Sequence, residues 1–253
     1  MAAVSPELFE TIVELQNLPS LNDAILAGGT NLAIRYDHRE SVDIDLFFSD
    51  IVGKAHYQKI TEEIKQYFDE RATHIHFPCD ESDQFIFLRF WIKTRDLNIK
   101  VEIMQNANFL DKPEIVNSAK LASKRDIGIL KLMTAANRGS FKDIYDLDYL
   151  TEDILLSQLM LDLKYKQETY NGNEYRTIFD LDGEVSPVKD PLRLLLFEEK
   201  SAKRRDRPNH SDYRILPQAN SKNLLTAKSS YRTKVRKLCD ELGIEFPGIM
   251  PLN

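Results

Sequence analysis

The stretch from Ser41 to Phe48 constrains this chain most, because it alternates two kinds of side chain before ending apolar. Successive side chains of a β-strand point to opposite faces, so Asp43 and Asp45 share one face while Val42, Ile44 and Leu46 share the other. An aliphatic back must lie on a core, and a front with two carboxylates must stay polar. The chain therefore needs a sheet covered on one side with a charged site on the other. Hard divalent cations prefer carboxylate oxygen, and magnesium held by one or two carboxylates completes its shell with water and phosphate oxygens. The pair suits phosphoryl chemistry; taken alone, it is equally what a solvated strand face carries.

A later strand, Asn98 to Met104, repeats the pattern, with Asn98, Lys100 and Glu102 on one face and Ile99, Val101 and Ile103 on the other. Glu102 offers the third carboxylate that a two-metal site uses; without Asp43 and Asp45 it would read as a solvated strand acid. Gly28-Gly29-Thr30 follows the apolar run Ala24 to Ala27 and precedes a stretch to Asp37 with helical character. Two glycines let backbone N–H groups approach a phosphate, and a hydroxyl adds a bond, although a glycine pair is also an ordinary tight turn. Arg39 and Ser41 lie just before the acidic strand, near any triphosphate bound there, and the arginine fork matches phosphate oxygens. Lys131 and Arg138 are seven apart, hence on one face of a helix, and Lys142, Asp143 and Asp146 lie beyond the break at Gly139. For Arg138, Lys142 and Asp146 taken separately, a salt-bridged surface is the competing reading.

Helical spacing predicts helices from Pro6 to near Gln16 behind the N-cap Ser5, around Tyr57, Ile60, Ile64 and Phe68, from Ser123 to about Asn137, over Asp143 to Leu150, over 153–168, and from Tyr231 to Leu242. Strands are expected over Phe85 to Lys93 and Asn98 to Met104, and loops with short strands over Tyr170 to Pro191. This organises the chain as a core (1–120), a helical region completing the site (121–170) and a C-terminal region (171–253).

Residues 200–237 carry twelve Lys or Arg against two Asp, so this segment is +10 and the remainder −16 within a total of −6. Clustered cations attract phosphate backbones, and Tyr213 and Tyr231 within the segment are placed to stack on bases; a solvated tail, or a dock for an acidic partner, explains the charge as well. Cys79 and Cys239 lack the spacing of a zinc site or disulfide framework, and His74-x-His76 lacks a third ligand and reads as structural. The Walker A, Rossmann and nucleophile-elbow patterns are absent. Without a leader-like or spanning apolar run, the expected location is the cytoplasm, with no membrane partner.

Together, Leu26-Ala-Gly-Gly-Thr-Asn-Leu-Ala-Ile-Arg35 and Arg39-Glu-Ser-Val-Asp-Ile-Asp-Leu-Phe47 resemble the first two motifs of the AbiEii/AbiGii family of nucleotidyltransferase toxins. Ile99-Lys-Val-Glu-Ile103 looks like its third motif, with Glu102 where members more often carry Asp. Lys131 with Arg138, Lys142-Asp143 and Asp146-Leu147 looks like the fourth, with Lys142 where Arg is usual. The resemblance covers roughly residues 24–150. It implies an α+β fold with a DNA polymerase β-like nucleotidyltransferase core, a small mixed sheet with flanking helices, followed by a helical C-terminal region. It also implies that Gly28, Gly29 and Thr30 hold phosphates, Asp43, Asp45 and Glu102 hold Mg²⁺ or Mn²⁺, Lys131 meets the triphosphate, and Asp143 has a catalytic or positioning role. The expected reaction moves a nucleoside monophosphate from an NTP to a hydroxyl, with RNA, tRNA first, as acceptor. Family members act as the toxin half of a two-gene system, which implies a cognate antitoxin. Transfer to a protein or small molecule, and a silent nucleotide- or protein-binding module, remain the alternatives.

Overall fold

The computed structural model describes residues 2–198 and 215–248. Among these residues, seven strands, β1 (Ile25–Leu26), β2 (Asp43–Phe47), β3 (Ala72–Asp80), β4 (Ile86–Lys93), β5 (Asn98–Met104), β6 (Glu114–Val116) and β7 (Ala119–Leu121), form one mixed sheet. Their order is β3-β4-β5-β2-β1-β7-β6. β2 runs parallel to β5 and antiparallel to β1, whereas β3, β4 and β5 form an antiparallel meander. The fold class is thus mixed, as the sequence implied, on a wider sheet than expected.

One face of this sheet is closed by α1 (Pro6–Gln16) and α3 (Gly53–Phe68). The Ser5 hydroxyl accepts from Leu8 N at 3.1 Å and Pro6 opens the first turn, so α1 starts where its sequence dictates. Its Leu8, Ile12 and Leu15, with Tyr57, Ile60, Ile64 and Phe68 of α3, cover the aliphatic backs of β2, β4 and β5. Each such fully buried side chain contributes about 1.5–3 kcal/mol, which fixes the strand faces. Val42 departs from this scheme. It lies just before β2 and is exposed, because the ladder begins only at Asp43.

The opposite face is covered at one end only. α2 (Gly28–Tyr36), α4 (Lys124–Arg138), α5 (Phe141–Asp153), α6 (Leu156–Thr169) and α8 (Leu224–Leu242) build a second core that takes in Phe47 and Met104. Those two residues share faces with Asp43, Asp45 and with Lys100, Glu102. Each strand front is therefore apolar where helices cover it and charged where they stop.

Three strands escaped the sequence pattern. β6 and β7 are three residues each, and β3 is an edge strand with Pro78 and two register shifts, the signs of an edge rather than a core strand. The helix after β1 begins at Gly28 itself, so Gly28, Gly29 and Thr30 form its first turn. α8 starts at Leu224, a turn and more before Tyr231, because the Asn223 side chain accepts from Thr226 N at 2.9 Å. Residues 170–191 hold 3₁₀ turns and the short α7 (Ile178–Leu181) but no strand.

The C-terminal residues cross the rest of the protein. Glu40 N donates to Leu216 O at 2.9 Å and Gln218 N to His38 O at 3.0 Å, while Tyr231, Val235 and Leu238 of α8 enter the second core.

Candidate active site

Strand register decides which polar side chains meet. Asp45 pairs with Glu102, Glu102 with Arg89, and Arg89 with His76 across β2, β5, β4 and β3. One step along, Asp43 pairs with Lys100, Lys100 with Trp91, and Trp91 with Thr73. Two adjacent rows thus cross the uncovered part of the sheet, carboxylates at one end and aromatic rings at the other.

Within these rows Arg89 Nε and Nη2 each lie 2.7 Å from Glu102 Oε1, and Lys100 Nζ stands 3.4 Å from Glu102 Oε2 and 3.7 Å from Asp43 Oδ2. Against the cost of burial, Lys100 and then Arg89 hold the Glu102 carboxyl below its ordinary range. Asp45 goes the other way. Burial, reinforced by the charges of Glu102 and Asp43, pushes its carboxyl up to about 7, and it hydrogen-bonds to Glu102. The centre therefore carries more negative charge than its cations balance. A hard cation on Asp43 and Asp45 would relieve that excess, and their all-oxygen donor set fits Mg²⁺ or Mn²⁺. Glu102, expected to complete a three-carboxylate set, carries Arg89 and Lys100 against its oxygens. Among the described residues no group of three or more His, Cys, Asp or Glu is arranged to hold a metal.

The glycine turn abuts this centre closely. A Cβ on Gly28, whose φ is +63°, would come within 1.9 Å of Asp45 Oδ2, and one on Gly29 within 2.2 Å of Arg39 Nη2. Only hydrogen at these positions lets the turn, the carboxylate and the guanidinium share one space. Thr30 and Ser41 lie behind it. Their hydroxyls are 2.8 Å apart and Thr30 also donates to Asp43 O, so both are engaged in fixing β2 against α2.

Beyond the turn lies a buried charge cluster. Arg39 Nε and Nη2 grip Asp146 at 2.6 and 2.7 Å, His38 Nε2 lies 2.8 Å from Asp146 Oδ1, and Lys131 Nζ bridges Asp146 at 2.7 Å and Asp143 at 2.9 Å. Although burial opposes ionisation, Arg39 and Lys131 hold Asp146 well below the carboxylate range, and Asp146 with Asp143 raises Lys131 in return. Lys131, Asp143 and Arg39 are thus brought together as an ion-pair network. Arg138, one helix face along, is half-buried with its Nε lacking a hydrogen-bond partner.

Residues 12–221 match the family model described as nucleotidyl transferase AbiEii toxin, Type IV TA system. This chain belongs to that family. It is also similar to an uncharacterized protein of Aquifex aeolicus (strain VF5), 32% identical over 152 residues that cover 59% of this chain and 68% of that protein. The family is one of nucleotidyltransferases, so the chain is a nucleotidyltransferase of the toxin–antitoxin type.

The basic segment fares differently. Tyr231 is fully buried, packed edge-on against Phe197, because α8 is a core helix; it is unavailable to stack on a base. Tyr213 lies outside the described residues. Of the described cations, Lys222 and Lys234 bind the buried Asp148, at 2.7 and 2.9 Å, and Arg236 covers Phe246. Sequence reasoning passed over Arg89, His38 and Trp91 as site residues. For Arg89 a signal existed, since Phe87, Arg89 and Trp91 alternate along β4 with Ile86, Leu88 and Phe90. Among the described residues no helix is long and apolar enough to cross a membrane.

Proposed function

We propose that this protein, in the cytoplasm, transfers a nucleoside monophosphate from an NTP to a hydroxyl of an RNA, tRNA being the first acceptor to test, in a Mg²⁺-dependent reaction. The observation that carries this reading is the surplus of negative charge on Asp43 and Asp45, set against the Gly28–Gly29 turn. Those two carboxylates would hold the Mg²⁺ (or Mn²⁺), which supplies neutralisation of phosphate charge and a more acidic acceptor hydroxyl. The first turn of α2 directs backbone N–H groups toward the donor's phosphates. Arg39, fixed by Asp146, stands at Gly29 on that side, and pyrophosphate leaves toward it and Lys131. Glu102, kept ionised by Lys100 and Arg89, accepts the hydrogen bond of the protonated Asp45 carboxyl, a bond that would be given up when Asp45 ionises to hold the metal.

Incubation with Mg²⁺, total tRNA and each α-phosphate-labelled NTP tests the proposal, with Asp43→Ala and Asp45→Ala beside the unmodified protein. Label in RNA should appear with the unmodified protein and fall at least about a hundredfold in either variant, with the circular dichroism spectrum unchanged. Full transfer by either variant would sink the assignment, and label on protein would replace RNA as acceptor.

A further inference from the structure

The two rows continue past the carboxylates to a group of rings that the reaction centre does not use. Trp91 is half-buried on the open face of β4, and the exposed His76 ring lies nearly parallel to it, 12° between planes and 6.0 Å between centroids. His74, also exposed, meets the indole edge-on at 5.7 Å. These imidazoles are aimed by an irregular strand: β3 shifts register on both sides of His76, and His74 has φ +52°. Such bulges redirect side chains and often adjoin active sites.

We infer that Trp91, with His76 and His74, forms a stacking platform for a base at the reacting end of an acceptor RNA strand, an assignment that rests on the RNA-acceptor reading above. Direction supports it. With phosphates at the Gly28–Gly29 turn, which ends β1 beside Asp45 of β2, the side across β5, β4 and β3 is the one left for the attacking hydroxyl of an in-line displacement. Strands lie about 4.8 Å apart, so the Trp91 backbone is about 10 Å from that of Asp43, two strands away and in the same row. A base beside the terminal hydroxyl falls over that spot. Chemistry supports it as well: an indole half-exposed beside two imidazoles offers ring faces to any base, while the cations Lys100 and Arg89 between platform and carboxylates temper the acidic centre for a polyanion.

Trp91 is the one tryptophan of the chain, so its emission reports on the platform directly. The full-length protein is titrated with a single-stranded RNA of about ten nucleotides, and separately with each NTP, following tryptophan emission. Anisotropy of the same RNA, fluorescently labelled, is read on Trp91→Ala, Trp91→Phe and His76→Ala. The RNA should quench emission to saturation. Affinity should fall about tenfold in Trp91→Ala, the loss of one stacked base, less in His76→Ala, and recover in Trp91→Phe. NTP affinity should stay unchanged throughout. His76→Ala, an exposed change, keeps the test valid if Trp91→Ala fails to fold. RNA bound equally by all variants, RNA bound without any change in emission, or no RNA binding at all overturns the platform; equal quenching by an NTP alone reassigns it to the donor base and overturns it too. Quenching and weakened binding without any transfer to RNA would keep the stacking site and remove the RNA-transfer reading, and with it the acceptor role. Transfer with an unchanged KM for RNA in Trp91→Ala would do the reverse.

Discussion

Two charged clusters flank the Gly28–Gly29 turn, and they are built on opposite terms. Behind it, His38, Arg39, Lys131, Asp143 and Asp146 are buried, and two cations face two anions at 2.6 to 2.9 Å. In front of it, Asp43, Asp45 and Glu102 share Arg89 and Lys100, and both cations approach Glu102, leaving Asp45 with a carboxyl pushed up to about 7. The first cluster is closed: desolvation of each ion is offset by a partner. The second is incomplete, holding a charge that this chain alone does not balance. Charge balance, more than the number of charged residues, separates the part that holds the fold from the part that awaits a ligand.

Removing a partner from the closed cluster should have the largest effect on stability. Asp146→Ala leaves Arg39 buried without its carboxylate and Lys131 with Asp143 alone, and should lower unfolding free energy in urea by about 3–5 kcal/mol; a loss under 1 kcal/mol would mean the cluster is more hydrated than its burial indicates. The turn between the clusters comes next. Gly28→Ala places a methyl against Asp45 at a left-handed φ, costing about 1–2 kcal/mol and displacing the carboxylate, so transfer should fall by about tenfold or more even at a temperature where the variant is folded. The open cluster should respond least in stability, and with the opposite sign. Because the folded-state carboxyl of Asp45 titrates near 7, above the ordinary carboxylate value, its protonated form stabilises the fold at low pH, and that contribution is lost as pH rises through about 7. Asp45→Asn should therefore be near neutral at pH 4 and more stable than the unmodified protein at pH 8, by about 1 kcal/mol or more. Denaturation curves at the two pH values decide it, and equal stability at pH 8 would show that Asp45 is not strained by its neighbours.

Much of this arrangement could be read in advance where period alone decides. Asp43 with Asp45, and Lys100 with Glu102, had to share faces once Ile44, Leu46, Val101 and Ile103 were buried. Ser5 and Pro6 likewise announced α1, and Ser123 announced α4, its hydroxyl accepting from Asp126 N at 3.0 Å. The edge strand β3 was missed although Ile75, Phe77 and Cys79 alternate with His74, His76 and Pro78, because Pro78 interrupts the run and its inward side chains are only partly buried. Tyr231 misled because its neighbours in sequence are basic while its neighbours in space are apolar.

By itself the sequence determined the faces: period two on the strands, period near four on the helices, and glycine where a Cβ has no room. Only the tertiary structure decided the pairings, because register and packing join residues that no local pattern relates. Arg39 meets Asp146 at a separation of 107 residues, and Asp45 lies beside Glu102 only because β2 and β5 run parallel in that one register. One residue of slip would turn either strand's charges into the core, and the apolar backs, buried on α1 and α3, forbid it.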